Sequence, residues 1–94
     1  MQFNLFATFR LLAGVKSLEI DLPQGTTVRQ AVHAVVEQQP VLRPHWLDDD
    51  GDVHAHVHIF VNGEDVQNME GKLDSPLPAG AVIDFLPPVG GGCA

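Results

Sequence analysis

The sequence predicts a two-layer α+β domain in which one amphipathic helix packs on a mixed sheet of about four to five strands. Three observations carry this: apolar residues alternate with period two in several separate segments, a single stretch switches to helical spacing, and turn residues punctuate the boundaries between them. With 94 residues there is room for one core and no second folded unit. The domain is expected over residues 1–86, followed by an extended tail over 87–94.

Gln2 to Arg10 opens the chain as an alternating strand, with Phe3, Leu5, Ala7 and Phe9 on one face and Phe6 as the apolar exception on the other. Leu11-Leu12-Ala13-Gly14 is expected to turn the chain, and Lys16 to Leu22 alternates again with Leu18, Ile20 and Leu22 inward, so the two strands read as a hairpin. Thr27 followed three residues later by Gln30 is a capping-box signature, and Val28, Ala31, Val32, Val35 and Val36 fall on one helical stripe that ends before Pro40.

Val41 to Val53 reads as a loop with an acidic run. Val53 to Val61 reads as the clearest strand, with Val53, Ala55, Val57, Ile59 and Val61 inward and His54, His56, His58 and Phe60 outward. Asn62-Gly63 gives a type I′ turn signal. After an irregular stretch, Ala81 to Leu86 forms a last strand with Ile83 and Phe85 inward, expected beside the first strand in the middle of the sheet.

Composition excludes several function classes. A formal charge of −7 with only five cations, Arg10, Lys16, Arg29, Arg43 and Lys72, leaves no basic stripe for phosphates, so nucleic acid is not an expected partner. No apolar run approaches the ~20 residues needed to span a bilayer, so no membrane partner is expected either. The lone Cys93 cannot close an intramolecular disulfide, and Met1-Gln2-Phe3-Asn4 lacks a signal pattern, so a cytoplasmic location is expected.

Pro87-Pro88-Val89-Gly90-Gly91-Gly92-Cys93-Ala94 is the stretch that core formation does not explain. Three glycines bury nothing and lose the most backbone entropy on ordering, while the two prolines favour a stiff, extended exit. A thin tail of this kind suits insertion into a partner's narrow site.

Taken in order, Phe6-Ala7-Thr8-Phe9-Arg10-Leu11-Leu12-Ala13-Gly14, Pro23 to Val32, Val61-Asn62-Gly63-Glu64-Asp65-Val66 and the ending Phe85-Leu86-Pro87-Pro88-Val89 with its glycine pair resemble the β-grasp sulfur carriers, the ThiS/MoaD relatives of ubiquitin. The resemblance covers essentially the whole chain, and the long loop before residue 53 is similar to that of carriers serving cysteine or thiocarboxylate-siderophore biosynthesis. It implies a protein co-substrate, not an enzyme: an ATP-dependent adenylating enzyme activates a terminal glycine carboxylate, a sulfur donor converts it to a thiocarboxylate, and a downstream enzyme accepts the sulfur. No cofactor is expected to be bound by the carrier; the ATP is used by its partner.

The resemblance places the reactive glycine pair at Gly91-Gly92, with Cys93 and Ala94 beyond it. It therefore implies trimming between Gly92 and Cys93 by a JAMM-type metallopeptidase. Fully extended, Pro88 to Gly92 spans on the order of 17 Å, enough to enter an active site. Pro87, Pro88, Val89 and Gly90 are expected to line that partner's channel, and Phe6, Phe60 and Leu86, placed opposite the helix, to form an apolar docking patch. Alternatives from other classes are a ubiquitin-like protein modifier and the small subunit of molybdopterin synthase.

Two metal readings are weaker. His54, His56 and His58 would share a strand face, but the outer pair would be ~13 Å apart, and no metal site is expected. Asp48-Asp49-Asp50-Gly51-Asp52 has Ile59, not Glu, at the twelfth position of a calcium loop, which leaves a solvated turn. Cys93 has no neighbouring His, Lys or Arg in sequence to activate its thiol, and so reads as part of a removable tail more than as a redox group.

Overall fold

The computed structural model describes residues 1–88. Val89, Gly90, Gly91, Gly92, Cys93 and Ala94, on which the expectations about the reactive glycine and its processing rest, lie outside the described residues.

Five strands, β1 (Gln2–Leu5), β2 (Ser17–Glu19), β3 (His58–Val61), β4 (Glu64–Asp65) and β5 (Val82–Leu86), form one mixed sheet in the order β2-β1-β5-β3-β4. β1 and β5 run parallel, side by side as the sequence predicts, with Leu5 opposite Phe85; the other pairings are antiparallel. Parallel neighbours need a crossover, and α2 (Val28–Gln38) provides it. Thr27 caps α2 through Oγ1, which accepts from the Gln30 amide at 3.2 Å, while Gln30 Oε1 accepts from the Thr27 amide at 3.0 Å. All five stripe residues, Val28, Ala31, Val32, Val35 and Val36, are buried in a core with Phe3, Leu5, Ile59, Ile83 and Phe85. Asn62 and Gly63 take φ of 51° and 87°, the left-handed pair that the turn between β3 and β4 requires.

The structure corrects five sequence-based expectations. The first strand stops at Leu5, not Arg10, because Ala7 adopts φ 53° and the chain enters α1 (Thr8–Ala13), closed by Gly14 at φ 77° whose amide donates to Arg10 O at 2.9 Å. β1 and β2 are therefore antiparallel neighbours joined by a helix, not a tight hairpin. The second strand shortens to Ser17–Glu19, although Ile20 still exchanges hydrogen bonds with Met1.

The region after the helix is not simply a loop. A 3₁₀ turn (Pro40–Leu42) and α3 (Arg43–Trp46) deliver Leu42, Trp46 and Leu47 into the core, with Trp46 wholly buried. Finally, β3 covers only His58–Val61; Val53 bridges Leu47, and a turn at 54–57 leaves Ala55 exposed. His54 and His56 thus leave the strand, their rings stacked at 4.6 Å, and only His58 projects from the sheet. Asp48 closes its own acidic turn by accepting from the amides of Asp50 and Asp52 at 2.9 and 3.0 Å.

Candidate functional site: the root of the tail and the open sheet face

β5 is the central strand, so the segment leading to Pro87-Pro88 is held by a ladder on each side. Alternation sends Ile83 and Phe85 into the core and leaves Val82, Asp84 and Leu86 on the face away from α2. Register then decides what surrounds the root of the tail. His58 pairs with Leu86 and Phe60 with Asp84 across β3. The Phe6 amide donates to Phe85 O at 3.2 Å, which carries the β1 pairing one residue further and sets Phe6 beside Leu86.

Phe6, Phe60 and Leu86 therefore lie on one face of the sheet, all half-buried, at the end from which the tail leaves. Towards the other end the same face turns polar: Asn4 Nδ2 donates to Asp84 Oδ1 at 2.8 Å and Gln2 Nε2 to Asn4 Oδ1 at 2.9 Å. Pro87 is half-buried and Pro88 exposed, and neither supplies an amide that could prolong a ladder.

Sequence reasoning missed Arg10. From α1 its guanidinium carbon stands 5.5 Å from the centre of the Phe6 ring and its Nε donates to Leu5 O at 3.0 Å. The signal was the i, i+4 spacing of Phe6 and Arg10, visible only once α1 replaces a strand. Behind the face, Trp46 stacks on Phe85 at 4.3 Å and meets Phe9 edge-on at 5.4 Å, so α3 buttresses the strand from which the tail departs.

Arg29 secures a different region. Its guanidinium bridges Asp52, and its Nε meets Asp74 at 3.2 Å, tying α2 to the acidic turn and to the 3₁₀ turn Lys72–Asp74. The Asp74 hydrogen bond raises its pKa, against the desolvation that lowers it, with Asp52 adding in the same direction. Among the described residues no group of three His, Cys, Asp or Glu side chains is placed to hold a metal ion, and no helix is long and apolar enough to cross a membrane.

The profile of the ThiS family matches residues 3–92. This chain belongs to the ThiS family. It is a ubiquitin-like β-grasp protein of the class that comprises sulfur carriers and small protein modifiers, proteins that are not themselves catalysts. The ThiS-family chain is 32% identical over 92 residues to small archaeal modifier protein 1 of Haloferax volcanii, covering 98% of this chain and 100% of that protein. The crystal structure of that archaeal modifier superposes with a TM-score of 0.83 at 30% identity, over 94% of this chain and 93% of the other. A chain of the BexX/CysO complex of Amycolatopsis orientalis superposes with a TM-score of 0.75 at 25% identity, over 94% of each chain.

Proposed function

We propose that this protein is a sulfur carrier whose Gly92 carboxylate, freed by removal of Cys93-Ala94, is adenylated and then converted to a thiocarboxylate. A metallopeptidase of the JAMM type hydrolyses the Gly92–Cys93 amide and releases the Cys-Ala dipeptide. One carboxylate oxygen of Gly92 then attacks the α-phosphorus of ATP in the adenylating enzyme, and pyrophosphate leaves. Sulfide from a donor adds to the acyl-adenylate carbonyl and AMP departs, leaving sulfur in place of one oxygen. A downstream enzyme of cysteine, thiocarboxylate-siderophore or other sulfur-metabolite synthesis takes that sulfur. The glycines at 91 and 92 suit this chemistry because no side chain crowds the carbonyl carbon.

The observation that carries the reading is the register at the root of the tail. Phe6, Phe60 and Leu86 form a half-buried apolar surface around the last residue of β5, so an enzyme docked there receives Pro87-Pro88 and the tail at a fixed distance. Its polar partner groups are Arg10 and His58. The BexX/CysO complex supports a partner-dependent role for this chain. The small archaeal modifier relatives support a second reading, in which the activated Gly92 acylates lysines of target proteins.

The test uses protein ending at Gly92, its host's adenylating enzyme, ATP and sulfide without oxygen. A carrier gains about 16 Da, the mass by which sulfur exceeds oxygen; a dedicated modifier yields only conjugates and its mass alone does not change. Phe60→Asp is expected to lower the adenylation kcat/KM by roughly tenfold to a hundredfold, since burying a phenylalanine is worth about 1.5–3 kcal/mol. An unaltered rate in the folded variant removes the open face from the docking account.

A further inference from the structure

The described residues leave five large hydrophobic side chains strongly exposed: Leu11 at 81%, Val41 at 45%, Leu12 and Val15 at 37%, and Val82 at 36%. Only Val82 belongs to the open sheet face. Leu11 and Leu12 lie on α1, Val15 follows it, and Val41 lies on the 3₁₀ turn Pro40–Leu42, which packs directly against α1. Phe9 seats α1 on Trp46 of α3, so the helix is anchored by one side and presents its other apolar side chains outward. Nothing in the core requires a leucine that is four-fifths exposed.

The charge around this patch runs against that of the whole protein. Of the five cations in a chain of net charge −7, Arg10 lies on α1, Lys16 just beyond Val15, and Arg43 immediately after the turn that carries Val41. Among the described residues every salt bridge is made by Arg29, which leaves these three without a carboxylate partner there. Arg43 shares a shallow hollow of about 320 Å³ with Asp48 and Asp49, so the positive character is strongest on the Arg10–Lys16 side.

The geometry points to a second docking surface, built from α1 and the Pro40–Leu42 turn, for an acidic amphipathic segment of a partner protein. Leucine-like anchors on that segment cover Leu11, Leu12, Val15 and Val41, and its carboxylates meet Lys16. Outside this patch Val82 is the one strongly exposed large hydrophobic among the described residues, so the described surface offers no second row of anchors to seat on it, which argues for a different protein over a second copy. Leu11, Leu12, Val15, Val41 and Lys16 do not belong to the Phe6–Phe60–Leu86 face, which Arg10 borders through its ring contact with Phe6, so one protein can hold that face while another engages these side chains. The inference does not depend on the chemistry of Gly92.

The experiment titrates the full, isotope-labelled chain with a short synthetic peptide carrying leucines at helical spacing and glutamates between them. A lysine-for-glutamate version and a serine-for-leucine version serve as controls. Amide shifts are expected to centre on Leu11, Leu12, Val15, Lys16 and Val41, to weaken with salt, and to be absent with both controls. The paired substitution Leu11→Ser and Val41→Ser, at exposed positions, should weaken binding roughly tenfold while leaving the Trp46 emission unchanged; Lys16→Glu should weaken it in low salt only. Absence of shifts on α1, equal binding of the lysine peptide, shifts confined to Phe60 and Val82, or concentration-dependent shifts at Leu11 without peptide would each overturn the inference.

Discussion

Trp46 offers the sharpest test of how the site is supported, because a tryptophan that the sequence places in a loop is wholly buried. Its indole stacks on Phe85 and meets Phe9 edge-on, and its Nε1 has no hydrogen-bond partner among the described residues. Trp46→Ala removes the ring and leaves a cavity, which costs about 3–5 kcal/mol by analogy with other buried aromatics. Trp46→Phe keeps a ring against Phe85. It loses roughly 40 Å³ of filling, worth about 1 kcal/mol, but it also discards an unpaired buried donor whose burial costs about 1–3 kcal/mol. The two effects oppose each other, so Trp46→Phe should fall within about 1 kcal/mol of the parent or above it. Urea unfolding followed by far-ultraviolet circular dichroism measures both variants independently of the lost fluorophore, with an unchanged m-value as the check on two-state behaviour. Since a domain of this size has only about 5–15 kcal/mol in hand, the alanine variant should be close to unfolding at 37 °C. If Trp46→Ala costs under ~1 kcal/mol, or Trp46→Phe costs as much as Trp46→Ala, the packing argument is wrong.

Thr27→Ala breaks one arm of the capping box and should cost about 1 kcal/mol, lowering Tm by roughly 4–8 °C in calorimetry, whereas Thr27→Ser should be nearly silent. Arg29→Met removes the bridges to Asp52 and Asp74, but the side chains are a third or more exposed and screened, so the loss should be under about 1 kcal/mol and should vanish in high salt. The sign for pH follows from the raised pKa of Arg29: the contribution is present below the ordinary arginine pKa and is lost only as pH rises through the folded value, so urea midpoints between pH 6 and 9, which lie far below that range, should show no pH-dependent loss traceable to this arginine.

What could be read from the sequence was what local chemistry decides. Thr27 and Gln30 announce the start of α2 because the cap is made by residues three apart, and the valine stripe can face only one way. Asn62-Gly63 marks its turn because few residue pairs accept two positive φ values. Phe6, Phe60 and Leu86 were placed opposite the helix by period-two counting, which holds for β3 and β5 even though β3 is shorter than its alternation suggests. The misses came where one pattern satisfies two periods. Phe9 is apolar in an alternating strand and equally apolar on the inner side of α1; only the backbone at Ala7 chooses between them. Arg43-Pro44-His45 surround Trp46 with polar and breaker residues, and the single turn of helix that buries the indole has no periodicity to detect. Arg10 and Val41 became part of surfaces only through α1, so no reading that missed α1 could have found them.

The position of β5 within the sheet bears on where the proposed reading puts a docked enzyme. An edge strand would allow its last residues to peel when a partner pulls on the end; β5 is flanked by β1 and β3, and Phe85 is pinned from behind by Trp46. The ladder nevertheless has to stop, or the tail would continue as a strand and could not enter a partner. Pro87 and Pro88 stop it by lacking amide donors, one residue after the Leu86 that faces the open side. On the proposed reading, rigidity and reach are thus separated at a single point: everything up to Leu86 defines where a docked enzyme sits, and the residues beyond it need only be long enough and thin enough to reach the activated phosphorus. Lengthening the chain by inserting one residue between Pro88 and Val89 should therefore leave docking at the Phe6–Phe60–Leu86 face unchanged while lowering the rate of adenylation, a separation of KM from kcat that a flexible, unanchored terminus would not produce.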